Sequence, residues 1–80
     1  MNFYNFNDLE KDFKNKDYTK LIKKINYNIS KNKSNLGQLV LLGQAYLGLK
    51  LIENAITVFN HIQIKYPKYN EVNIFLGELL

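Results

Sequence analysis

Eighty residues carry eleven basic side chains, all lysine, and seven acidic ones, so this is one small domain with a net charge of +4. With no cysteine and a single histidine, the composition excludes disulfide frameworks and thiolate metal sites. The longest apolar run, Leu39–Leu42, is far short of the ~20 residues that span a bilayer, so neither membrane insertion nor a secretory leader is expected, and a cytoplasmic location is.

Taken in order, Met1 to Asn15 contains a first helix, with Phe6, Leu9 and Phe13 at spacings of three and four and Phe3 ahead of it as a staple. Asp17 is an N-cap for a second helix to about Ser30, whose apolar face is Tyr18, Leu21, Ile22, Ile25 and Ile29. Lys31–Ser34 is a turn. Asn35 and Gln38 have capping-box spacing for a third helix that ends near Gly48. A fourth helix covers about Leu51 to Lys65. Pro67 ends it, because proline lacks the backbone donor and pushes Tyr66 out of helical geometry. Asn70 then caps a fifth helix.

Two of these runs, Leu39/Leu42/Tyr46/Leu49 and Ile52/Ala55/Ile56/Phe59/Ile62, carry apolar residues at helical spacing. Gly43 and Ala55 are small where two facing helices need close approach. Together Leu42-Gly43, Tyr46, Ala55, Phe59 and Pro67 resemble the tetratricopeptide (TPR) repeat, with Leu39 where that repeat has its leading Trp. At roughly one in fifteen per position, six hits in one register arise by chance on the order of once in ten million. Shifting by the repeat's period takes Leu42-Gly43 to Leu76-Gly77, and takes Ala55, Ile56 and Phe59 back to Leu21, Ile22 and Ile25. Before Asp17 the strict period maps Leu42 onto Asp8. A one-residue deletion in the first inter-helix turn instead aligns Phe6, Leu9 and Phe13 with Leu39, Leu42 and Tyr46, and places Glu10 at Gly43.

The resemblance implies an all-α fold: a right-handed superhelical stack of antiparallel helical hairpins, five helices in about two and a half repeats. Residues 1–35 are a divergent first hairpin, 36–69 the best-matching repeat, and 70–80 the first helix of a third. It further implies a non-catalytic module that binds a peptide or partner protein in a concave groove lined by the first helix of each hairpin. The groove residues expected are Asn7 and Lys11 on the first helix, Val40, Gln44 and Leu47 on the third, and Ile74 and Glu78 on the fifth. The family's chaperone-tail receptors grip a terminal carboxylate with Lys, Asn and Arg. Leu41, Glu71 and Phe75 stand at those places here, and Glu71 repels a carboxylate.

Two other classes remain. Phe75, Leu76, Leu79 and Leu80 form an apolar stripe on the last helix, which a second copy can cover to make a homodimer. Lys20, Lys23, Lys24 and Lys31, with Tyr27 among them, form the basic and aromatic face that a nucleic-acid binder wants. Nucleic acid is disfavoured because the chain has no arginine, the preferred phosphate fork. Catalysis and metal binding are not expected, and no cofactor is. His61 has no orienting carboxylate near it in sequence, and Asp8, Glu10 and Asp12 splay round a helix without a His or Cys companion. No glycine-rich phosphate loop is present.

Overall fold

The computed structural model describes residues 3–79, the side chain of Leu79 excepted. These contain five α-helices and no strand: α1 (Phe6–Lys14), α2 (Tyr18–Ser30), α3 (Leu36–Gly48), α4 (Ile52–Lys65) and α5 (Glu71–Leu79). Each packs against the next in sequence, and α1 also packs against α3. Cross-contacts set the directions. Tyr4 meets Asn28 while Phe13 meets Tyr18, Asn28 meets Gln38 while Tyr18 lies by Gly48, and Phe59 meets Phe75 while Gln63 meets Asn73, so α1 and α2, α2 and α3, and α4 and α5 run antiparallel.

Helix starts follow the capping chemistry. Asn35 Oδ1 accepts from the Gln38 N–H at 3.0 Å, while the Gln38 side chain turns elsewhere, so only half of the capping box forms. Asp17 occupies the N-cap place of α2 without a side-chain bond. The cap of α1 is Asn5, whose Oδ1 accepts from the Asp8 N–H at 2.9 Å. α5 opens immediately after Asn70.

The ends of α1, α2 and α3 are built alike, with no glycine at the left-handed place. After α1, Lys16 (φ 59°) donates to the Phe13 carbonyl and Asp17 to the Asp12 carbonyl; after α3, Lys50 (φ 61°) donates to Leu47 and Leu51 to Tyr46. Asn32 (φ 57°) and Lys33 close α2 the same way onto Ile29 and Asn28. All three are Schellman closures with a left-handed residue just past the cap. Lysine is strained there, since its Cβ crowds the backbone in left-handed geometry. Lys16→Gly and Lys50→Gly are therefore each expected to stabilise the chain by about 0.5–1 kcal/mol. A thermal melt checks this; a lower Tm for both would show that the lysines relieve their strain through contacts of their own.

The left-handed Lys16 and Lys50 stand one full repeat period apart, and the two turns that hold them have equal length. This corrects the expected one-residue deletion: the turn after α1 is not shortened, and the strict period runs through it. Leu9, not Glu10, then stands at the place of Gly43. The exchange is sterically coherent. Gly43 lies against Phe59, whereas the residue one period before Phe59 is the smaller Ile25, and Leu9 and Ile25 are both fully buried in one cluster.

Two apolar clusters form the core. Leu9, Leu21, Ile25, Leu41, Leu42 and Ala45 make the first; Leu39, Ala55, Phe59, Ile62, Val72 and Leu76 make the second. Tyr46 and Val58 pack against both. Phe59 and Ile62 fill the gap towards α5, and Ile25, on the apolar face expected for α2, is buried in the first cluster. Ile29 is not. It is 39% exposed, and the fully buried residue on that turn of α2 is Asn28.

Candidate functional site

The residues expected to line an inner groove fall into two environments. Val40 and Leu47 are half-buried and pack against the second cluster, so each presents only part of its side chain at the surface. Ile74 is different: 63% exposed on α5, it is a large apolar side chain facing solvent. Asn7, Lys11 and Glu78 are exposed and Gln44 is half-buried. Among the described residues none of these four makes a side-chain hydrogen bond or ion pair.

Of the stripe expected for self-association, two side chains are described. Leu76 is 6% exposed within the second cluster, and the half-buried Phe75 ring stacks on Phe59 with centroids 4.9 Å apart and planes 10° from parallel. Val72 and Leu76 join the cluster shared with α4, and Phe75 keeps part of its surface open. Leu80 and the Leu79 side chain lie outside the described residues.

The lysine face of α2 is partly committed as well. Lys24 Nζ stands 2.8 Å from Asp12 Oδ2, joining α2 to α1 with both groups mostly withdrawn from water. Asp12 is thus a buried inter-helix partner and not the solvated helix charge that its spacing suggested. Its hydrogen bond raises the Lys24 pKa above the ordinary lysine value, against the lowering effect of burial. Lys31 lies over the Tyr27 ring at 5.5 Å, whereas Lys20 and Lys23 are exposed.

His61 is exposed on α4, on the rim of a surface groove of about 460 Å³ floored by Leu39, Leu42 and Val58. Among the described residues no group of His, Asp or Glu side chains is placed to hold a metal ion, and no helix is long and apolar enough to cross a membrane.

Sequence reasoning missed the most organised polar feature. Asn28 is fully buried and Gln38 is 4% exposed. Asn28 Oδ1 accepts from the Tyr4 N–H at 2.7 Å, and its Nδ2 donates to the Tyr4 carbonyl at 2.8 Å and to Gln38 Oε1 at 3.0 Å. Gln38 Nε2 in turn donates to the Lys33 carbonyl at 3.2 Å. Both polar hydrogens and the oxygen of the Asn28 amide are satisfied. The signal was available: Asn28 follows Leu21 and Ile25 by two turns and one turn, on the buried stripe of α2.

Compared with known proteins, the chain matches no family model, no curated protein and no solved structure.

Proposed function

We propose that this chain is a TPR-like, non-catalytic interaction module that holds a peptide or partner protein along the inner faces of α1, α3 and α5. What carries the reading is one hairpin geometry repeated at the family's period: matching turns, each with a left-handed lysine, at Lys16 and again at Lys50. In this reading the hairpins stack as a right-handed superhelix of about two and a half repeats, and the partner meets Asn7, Lys11, Val40, Gln44, Leu47, Ile74 and Glu78. Ile74 supplies the apolar anchor, because an exposed large apolar side chain beside polar ones is what a partner can desolvate. A cytoplasmic location fits a chain without cysteine.

A homodimer through α5 is the alternative reading, ranked second because Leu76 is buried and Phe75 half-buried against α4. Nucleic acid is not the favoured partner, with Lys24 tied to Asp12.

Peptides selected from a random display library against the full chain provide the test. Ile74→Glu and Gln44→Arg are each expected to weaken the selected peptides at least ~10-fold, equivalent to about 1.4 kcal/mol, without moving the melting temperature. Lys20→Glu with Lys23→Glu should leave them unchanged. Peptide binding indifferent to both inner-face variants would overturn the assignment. So would tight, steeply salt-dependent binding of single-stranded RNA, which would point to the lysine face.

A further inference from the structure

The segment Phe3–Asn5 lies across α2 as an extended strap, and the way it is held has an uneven construction. The strap itself is lightly covered. Phe3 and Tyr4 are 36% and 37% exposed, and the Tyr4 ring meets the edge of Tyr27 at 5.6 Å and the Lys24 ammonium at 5.3 Å. The pair that receives it is deeply built: Asn28 and Gln38 are buried, cross-bonded and anchored to the Lys33 carbonyl.

The repeat supplies an internal control for what that pair is for. One period further on, the corresponding residues are Ile62 and Val72, both fully buried in one apolar cluster, and the polar contact between α4 and α5 beside them is an exposed Gln63–Asn73 hydrogen bond of 2.7 Å. At that step the buried positions themselves are apolar. Two buried amides at the first step add what apolar side chains cannot: an acceptor and a donor facing the N–H and C=O of one extended residue. That bidentate contact reads main chain and not side chain, as an added strand does in peptide recognition.

We propose that Asn28 and Gln38 form a second peptide site, distinct from the inner face, that takes an extended segment carrying an aromatic residue. Tyr27 and Lys24 receive the aromatic ring. In the free chain Phe3–Asn5 fills the site in cis, so an incoming segment binds only as the strap leaves. A tethered strap acts at an effective concentration on the order of millimolar, and the affinity of a competing segment falls by the fraction of chains whose site is open. The strap is thus a built-in inhibitor of its own site.

The test uses the full chain and a blocked peptide with the sequence Phe3–Phe6, read by the side-chain carboxamide NMR signals of Asn28 and Gln38. Tyr4→Pro removes the N–H that Asn28 accepts from and leaves the receiving pair intact. The peptide is expected to shift both carboxamide signals of that variant, with an apparent Kd at least ~10-fold below that of the parent chain. Asn28→Ile with Gln38→Val, the residues used at the next step, should fold and leave the Tyr27 ring signals unmoved by the peptide. Ile74→Glu should leave this peptide's binding unchanged, which separates the outcome from that of the inner face. In the parent chain, the Tyr4 amide should exchange with solvent at least ~10-fold faster than the Leu21 and Ile25 amides, by local opening. Carboxamide signals that ignore the peptide in Tyr4→Pro, equal affinity in variant and parent, or Tyr4 exchange as slow as that of the core would each overturn the proposal.

Discussion

Gly43→Leu is expected to cost about 3 kcal/mol or more, at the upper end of the usual overpacking range. A Cβ on Gly43 would lie 2.6 Å from two ring carbons of Phe59. That ring has no exposed surface and is backed by the stacked ring of Phe75, so it has nowhere to retreat. At roughly 4–8 °C per kcal/mol for a chain of this size, the melting temperature should fall by more than ten degrees. Ala55→Leu belongs with it, because Ala55 is fully buried in the same cluster. The decisive comparison is Gly77→Ala, at the place that the resemblance pairs with Gly43, where a Cβ meets nothing within 4 Å. There the better helix former should raise stability by up to about 1 kcal/mol. Thermal melts of the three variants decide. If Gly43→Leu melts within a degree of the parent, the α3–α4 crossing is not as described.

Lys24→Met should destabilise by about 3 kcal/mol, because it strands the Asp12 carboxylate in a site where, Lys24 apart, Oδ2 accepts no hydrogen bond among the described residues. Replacing both partners should be nearly neutral. The repeat suggests the pair, since Asp12 and Lys24 correspond, one period on, to Tyr46 and Val58, which pack in the core. Asp12→Tyr with Lys24→Val is therefore expected to recover most of the loss. The pH dependence follows from the raised Lys24 pKa. The folded chain holds that proton more tightly than the unfolded one, so the stabilisation is complete below the unfolded lysine value and is lost as pH rises through the folded one. Urea melts of parent and Lys24→Met from neutral to strongly alkaline pH should thus converge at the alkaline end. A constant gap across that range would show that Lys24 acts through packing alone.

Local chemistry made most of the helix boundaries legible. Asn35 capping Gln38, Pro67 after Tyr66 and the three- and four-residue apolar spacings depend on near neighbours, and α2 to α4 begin and end, and α5 begins, within about a residue of expectation. What escaped depends on rotation about a helix axis. Whether Asp12 faces water or α2 is invisible until both helices are placed, and so is the choice of Asn28 over Ile29 as the buried residue. The missing-residue reading of the first turn failed for a related reason. It assumed that an apolar residue must recur at the place of Leu42, where the strict period puts Asp8, whereas the core is filled one position on by Leu9, fully buried in one cluster with Ile25. On the candidate surface, the resemblance set Ile74 away from the core and it is exposed, but the packing that buries Leu76 and stacks Phe75 on Phe59 was not legible.

Because α3 gives Leu41, Leu42 and Ala45 to one cluster and Leu39 to the other, no partial opening can release it while sparing half of the core. Its amides exchange only when the whole molecule unfolds, whereas α1 and α5 can each come away at the expense of one cluster. Every other pairing joins neighbours in sequence, with only α1 on α3 reaching further. So short a set of loops to close places the chain among fast folders, in the microsecond-to-millisecond range. In such a landscape the α3–α4 hairpin is the seed on which the two ends condense, and substitutions there slow folding itself, while those in α1 and α5 chiefly hasten unfolding.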